Sequence, residues 1–193
     1  GVERIRELRV ENLLDIGCGE GYYHNAMQAE VLQCVGVDIA KNAVQVAAKV
    51  NKNMTWVVGT GATLPVLDAS IDLCTSLFSP IPKQEILRVL KPHAYLMVVT
   101  PATEHLYAMR EALFEEVNPH EPYKFVAQLE DAFELVEESV VDAPLTLSQA
   151  DLKHLIAMTP YAYKAKPERR QVLEQKDQFE LKAQFQIYLF KKK

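Results

Sequence analysis

Leu13-Leu14-Asp15-Ile16-Gly17-Cys18-Gly19-Glu20-Gly21, continued by Tyr22-Tyr23, is the stretch from which the fold of this chain is read. An apolar run ends directly in three glycines at alternate positions, so a strand passes into a loop whose backbone carries little side-chain bulk. Glycine adopts positive φ without strain and has no Cβ, which lets the main chain turn tightly beneath a nucleotide-like ligand. Asp38 follows Gly17 by 21 positions, at the end of the next apolar run, Gln33–Asp38. A carboxylate at about that separation accepts from both hydroxyls of a ribose diol. The spacing Gly-x-Gly-x-Gly is not the Gly-x-Gly-x-x-Gly of pyrophosphate binding, and no Gly-Lys-Ser/Thr string offers a triphosphate cradle. The expected ligand therefore carries a ribose that Asp38 grips.

Outward from this stretch, short apolar runs alternate with helical patterns, the sign of a parallel sheet covered by helices. Strands are expected at Asn12–Ile16, Gln33–Asp38, Thr55–Val58, Ile71–Leu77 and 95–100. Helices are expected at 39–50, where Ile39, Ala43, Val44, Ala47 and Ala48 recur at helical spacing, and at 84–90, stopped by Lys91-Pro92. A further helix is expected around 105–117, before a proline-punctuated loop at 118–122. In the last third, 133–141 and 179–190 read as strands, separated by a helix capped by Ser148 and another after Pro167. Leu152, Leu155 and Ile156 form the apolar stripe of the first of these helices. Phe185, Ile187 and Leu189 alternate with Gln184, Gln186 and Tyr188 as in a half-buried strand. No repeat, low-complexity segment or linker interrupts the 193 residues, so one domain is expected.

Composition bounds the function. The chain is 49% hydrophobic and 24% charged, which excludes disorder and fibrous classes. No run approaches the roughly 18 apolar residues of a membrane helix, and the charged opening has no signal-peptide pattern, so a cytoplasmic location without membrane partners is expected. Net charge is −5, which argues against a generally basic nucleic-acid surface and leaves room for a local patch. Cys18, Cys34 and Cys74 are widely spaced and odd in number; they are expected to be small buried hydrophobes, and no metal site is expected. The first residue is Gly rather than Met, and the expectation is a fragment of a longer chain or a tag scar.

The strand-to-glycine segment with Asp15 at its end resembles motif I of class I S-adenosylmethionine-dependent methyltransferases. The remaining stations of that family stand in order. Asp38 matches the ribose-binding acid and Ile39 the residue that packs on adenine. Gly59-Thr60-Gly61-Ala62 matches the adenine-edge loop, with Thr60 where an Asp is frequent. Ile71-Asp72-Leu73 through Pro80 matches the fourth motif, and Leu90-Lys91-Pro92 the turn before the fifth strand, with His93-Ala94 in place of two glycines. The resemblance implies an α/β, Rossmann-like class I methyltransferase fold: a mostly parallel seven-stranded sheet with an antiparallel last strand and helices on both faces. It implies S-adenosyl-L-methionine as cofactor, bound by Asp15, Gly17, Cys18, Gly19, Gly21, Tyr22, Asp38, Ile39, Thr60, Gly61, Ala62 and Leu64.

Longer strings narrow the resemblance. Asp15 to Tyr23, Thr100-Pro101 followed by His105-Leu106, and Met158-Thr159-Pro160-Tyr161-Ala162-Tyr163-Lys164-Ala165 are similar to the 23S ribosomal RNA guanine-N1 methyltransferases of the RlmA type. That resemblance implies methyl transfer to N1 of a guanine, ribosomal RNA as partner, and an upstream cysteine-rich zinc module that this chain lacks. No catalytic residue is fixed by it. Phe78-Ser79-Pro80 stands where amine methyltransferases carry Asn/Asp-Pro-Pro-Tyr, without the polarising amide. His105 is a candidate base, against a plain helix-start role. Tyr161 and Tyr163 are candidates to stack on a base with Lys164, Lys166, Arg169 and Arg170 near phosphates, against an aromatic core and a solvated basic face. Tyr22 and Tyr23 read either as packing rings or as a lid. Two alternatives stay open: methyl transfer to a small metabolite, which the net acidity favours, and a module that binds S-adenosylmethionine without turnover. Nothing in the sequence separates a monomer from a dimer.

Overall fold

The computed structural model describes residues 2–18, 27–77, 79–118 and 125–193. Within them the elements run α1 (Val2–Glu7), β1 (Asn12–Ile16), β2 (Gln33–Asp38), α2 (Lys41–Val50), β3 (Thr55–Val58), β4 (Ile71–Leu77), α3 (Lys83–Val89), β5 (Leu90–Pro101), α4 (Tyr107–Leu113), α5 (Val126–Leu129), β6 (Phe133–Ser148), α6 (Gln149–Met158), α7 (Tyr161–Lys164), α8 (Pro167–Glu174) and β7 (Gln178–Lys192). The strands form one seven-stranded sheet in the order β3-β2-β1-β4-β5-β7-β6. The pairs β1–β2, β2–β3, β1–β4 and β4–β5 are parallel, and the last strands are antiparallel.

Compactness divides the described chain into two units, the first 1–100 with 124–138 and 187–193, the second 101–123 with 139–186. In the first, side chains alternate between two apolar layers, as a sheet covered on both faces requires. Leu14, Ile16, Cys74, Leu96 and Val98 enter a layer with Ile86 and Val89 of α3 and with Tyr188 and Phe190. Leu13, Leu73 and Met97 enter the other, with Ile5 of α1 and Met27. The second unit has its own core of Leu106, Met109, Leu113, Leu152, Ile156, Leu173, Leu181 and Ala183. Arg110 is buried there, 3% exposed. Its guanidinium donates to the main-chain carbonyls of His105 (2.9 Å), Asn118 (2.9 Å) and Thr103 (3.0 Å), so the cation holds together the segment leading into and out of α4.

Strands β1 to β4 fall where the apolar runs predict them, and Ser148 caps α6, its hydroxyl accepting from the Asp151 amide at 3.2 Å. Leu152 and Ile156 are fully buried and Leu155 partly, as the stripe predicts. The three cysteines are buried. Four details differ. Helix α4 covers only Tyr107–Leu113 of the expected 105–117. β5 starts at Leu90 rather than 95, with His93 at φ 61° carrying the left-handed conformation for which glycine is usually needed. β6 runs on to Ser148 through Pro144, which the edge position of this strand permits because a proline there forfeits no ladder bond. In β7 the expected one-sided alternation fails: Tyr188 and Gln186 are buried along with Leu189 and Phe190. β7 is an interior strand, and the Tyr188 ring packs edge-on to Phe125 at 5.1 Å. The charged opening of the chain, read only as lacking a signal pattern, forms α1.

Candidate functional site

Strand order sets the place of the site. β1 lies between β2 and β4, and from it the chain winds one way through β2 and β3 and the other way through β4 and β5, so the carboxyl ends of β1 and β4 diverge into a crevice. A cavity of about 560 Å³ occupies those ends, within the usual range for a small-molecule site. β1 contributes Ile16 and Gly17, β2 contributes Val37, Asp38 and Ile39, the segment after β3 contributes Gly59 to Ala62, and β4 with its following turn contributes Leu77 and Ser79 to Pro82.

Each part is fixed locally. Gly17 has φ +71° and donates its amide to the Val37 carbonyl at 2.8 Å. A Cβ on Gly17 would lie 2.6 Å from the Cβ of Ser79, so residue type here is dictated both by dihedral and by space. Ser79 holds its side of the crevice by donating its hydroxyl to the Ile16 carbonyl at 3.0 Å, with the Ser76 hydroxyl 2.9 Å away. Asp38 accepts the Ala40 amide on Oδ1 at 2.8 Å, which orients the carboxylate as α2 begins. Ile39 is 73% exposed at the cavity wall, an apolar surface set beside an acid. The Gly59 amide reaches the Asp38 carbonyl at 3.0 Å, joining the two loops, and a Cβ on Gly61 would sit 3.0 Å from the Pro82 ring.

Further back, Glu85 and Arg88 of α3 clamp the long connection between β3 and β4. Glu85 accepts the Leu64 amide at 2.7 Å, and Arg88 donates to the carbonyls of Leu64 and Val66 and to Asp68. The hydrogen bonds that Arg88 donates to Glu85 and Asp68 hold its guanidinium above its ordinary range, and Arg88 together with the Leu64 amide lowers Glu85.

Of the residues expected from the sequence, the structure brings Gly17, Asp38, Ile39, Thr60, Gly61, Ala62, Ser79 and Pro80 to this cavity. It places Asp15, Cys18 and Leu64 outside the lining. Asp15 is fully buried and accepts the Thr75 hydroxyl at 2.5 Å, tying β1 to β4. Cys18 is buried, its thiol pushed up to about 12 by burial and by the negative charges of Asp15 and Asp38. Leu64 packs in the core. Gly19, Gly21, Tyr22, Tyr23 and Phe78 lie outside the described residues. His105 and Tyr161 belong to the second unit. There His105 accepts the Gln184 amide on Nδ1 at 2.9 Å and lies 5.0 Å from the Phe185 ring. In the neutral ring the proton then sits on Nε2, and taking up a second proton would break that bond. Tyr161 packs edge-on to Phe114 at 5.8 Å, with its hydroxyl pKa raised by burial. Tyr163 is 89% exposed, so the two tyrosines do not share one environment.

The sequence reading missed Ile81 and Pro82. Their signal is the string Ser79-Pro80-Ile81-Pro82 directly after a buried strand, whose two prolines fix the backbone at the crevice wall. Among the described residues no helix is long and apolar enough to cross a membrane, and no cluster of three metal-ligating side chains occurs.

Residues 14–98 match the methyltransferase domain family. The chain is 30% identical over 160 residues to a 23S rRNA (guanine(748)-N(1))-methyltransferase of Streptomyces fradiae, covering 81% of this chain and 57% of that protein. It is 29% identical over 174 residues to YxjB of Bacillus subtilis, a protein provisionally named for the same guanine-N1 activity, covering 84% of this chain and 60% of the relative. The chain thus spans somewhat under two thirds of the length of these relatives. Among solved structures, that of YcgJ from Bacillus subtilis superposes with a TM-score of 0.64 at 20% identity, covering 100% of this chain and 97% of that one.

Proposed function

We propose that the chain is a class I S-adenosylmethionine-dependent methyltransferase that transfers the donor's methyl group to N1 of a guanine in large-subunit ribosomal RNA. The observation that carries the proposal is the reach of the similarity. The domain match stops at residue 98, yet the likeness to the two relatives named for guanine-N1 methylation covers more than four fifths of the chain, so it extends into the second unit as well.

The cavity suits the donor on its own geometry. Gly17 leaves room that a Cβ would fill, Asp38 presents a carboxylate, and Ile39 offers an exposed apolar face. In the proposed complex Asp38 accepts the ribose hydroxyls, Ile39 covers one face of adenine, and Thr60, Gly61 and Ala62 border its edge. The sulfonium supplies an already activated methyl group, so the chain's task is to place an acceptor nitrogen in line and to exclude competitors. Ser79 and Pro80 hold the crevice wall open by fixing the backbone that faces Gly17. The acceptor must also lose its N1 proton. With Nδ1 of His105 engaged by the Gln184 amide, that ring is assigned to positioning the 102–106 segment rather than to proton removal.

A second reading, transfer to a small metabolite, is favoured by the net charge of −5. One assay separates the two. The protein in its full natural length, incubated with unmethylated ribosomal RNA and labelled S-adenosylmethionine, is expected to yield labelled 1-methylguanosine after nuclease digestion. Label in a small-molecule extract with none in RNA overturns the proposal in favour of the second reading. Donor binding with label in neither leaves a binding module.

A further inference from the structure

The second unit contains a cavity of about 910 Å³, which the donor site does not use. Its wall includes Thr103, Glu104 and Tyr107 ahead of and within α4, Thr146 of β6, and Glu180 and Lys182 of β7. The ring of Tyr107 is half exposed, and the buried Arg110 guanidinium lies 5.9 Å from its centroid. Lys182 donates to the Glu104 carboxylate at 2.5 Å. Glu104 is further fixed through its backbone, whose amide donates to Gln184 Oε1 at 3.0 Å, and Gln184 is in turn anchored to Asp142 at 2.8 Å. The acceptor and the donor of the ion pair are therefore held side by side next to an aromatic face.

We infer that this cavity is a base-reading pocket for a guanine of the RNA other than the methyl acceptor, whose N1 must stay free to meet the donor, with Tyr107 as stacking face and Glu104 and Lys182 as the pair that reads the Watson–Crick edge. The inference rests on the proposal that the substrate is RNA. That edge carries two adjacent donors, N1–H and the exocyclic amine, beside the acceptor O6. A carboxylate takes both donors at once and an ammonium beside it takes O6; adenine, cytosine and uracil offer no such donor pair. Among the described residues two carboxylates line the cavity against the one ammonium of Lys182, a balance that repels phosphate and favours a neutral, donor-rich edge over the backbone of the strand. An aromatic face beside such polar groups is how unstacked bases are held.

The test compares ligands that differ by single groups, titrated by nuclear magnetic resonance into the chain saturated with S-adenosylhomocysteine. Guanosine is expected to shift the Tyr107 ring resonances. Inosine, which lacks only the exocyclic amine, is expected to bind about tenfold more weakly, the scale of one lost hydrogen bond to a charged group. Glu104→Gln is expected to erase that preference, and Tyr107→Leu to weaken both nucleosides alike, with S-adenosylhomocysteine affinity unchanged in each. Equal binding of guanosine and inosine, no binding up to the solubility of guanosine, or binding of a polyamine in place of either nucleoside overturns the inference. Its failure is distinguishable from that of the proposed function. RNA methylation with an unaltered KM in Glu104→Gln removes this pocket and leaves the activity, whereas guanosine discrimination without any RNA methylation does the reverse.

Discussion

The cavity at the strand ends and the cavity in the second unit are built from different materials. The first is mostly backbone: a positive-φ glycine, amides and carbonyls crossing between β1, β2 and the loop after β3, and a serine that anchors to a main-chain carbonyl. Among its described residues one carboxylate, Asp38, faces the cavity. The second is mostly side chain, with Glu104, Lys182, Glu180 and Tyr107 drawn from segments up to about eighty residues apart and steadied by Arg110 and Gln184. A site made of backbone at strand ends accepts any sequence that keeps the turns, and so serves one donor across many proteins. A site made of side chains on neighbouring elements is free to change with the acceptor.

The sharpest way to break this contrast is Arg110→Met. It removes a buried donor from three carbonyls, those of Thr103, His105 and Asn118, and a buried group left without its partner costs about 1–3 kcal/mol. We expect a loss of about 3 kcal/mol in urea unfolding, with hydrogen-exchange protection falling first in α4 and along 178–186. Affinity for S-adenosylhomocysteine, measured by calorimetry, should stay constant. A parallel fall in that affinity would mean that the two cavities are not energetically separate.

Asp38→Ala sharpens the contrast from the other side. Two hydrogen bonds from ribose hydroxyls to a charged acceptor, each worth about 1.5–3 kcal/mol, are expected to be lost from donor affinity. Stability should change less, because Asp38 is only half-buried and lines the open cavity. Calorimetry that finds unchanged affinity would remove Asp38 from the donor site.

How much of this was legible in the sequence follows the same division. The strand-end site announces itself because its requirements are local: glycines where the chain must turn, an acid at the end of the next strand, and Pro80 after β4. The parallel strands were readable for a related reason, since a doubly covered strand is a continuous apolar run bounded by turns. What the sequence did not disclose depended on partners distant along the chain. Tyr188 and Gln186 are buried because β7 is inserted between β5 and β6, which no pattern within 179–190 discloses. His105 invited a catalytic reading as a lone histidine near the strand ends, but its Nδ1 bond comes from Gln184, 79 residues on. The pairing of Lys182 with Glu104 is hidden in the same way. Leu64 packs in the core and Asp15 ties β1 to β4, structural roles that their positions beside the motifs do not disclose.

The smallest expected effect tests whether the backbone half of the molecule is optimal where it departs from its family. In the turn that opens β5, His93-Ala94 stands where the motif this segment resembles has two glycines, and His93 holds φ 61° with its side chain exposed. A non-glycine residue in that conformation costs about 1–2 kcal/mol. Glycine would relieve it, while giving back about 0.5–1 kcal/mol in the greater freedom of the unfolded chain. His93→Gly should therefore raise stability by about 0.5–1 kcal/mol, or roughly 2 °C in Tm for a chain of this size. No change in donor affinity is expected, because the turn lies at the opposite end of β5 from the cavity-bearing ends of its neighbours. A lower Tm for the glycine variant would show that the imidazole makes a contact worth more than the strain it imposes, and that this turn, unlike the one at Gly17, is held by its side chain.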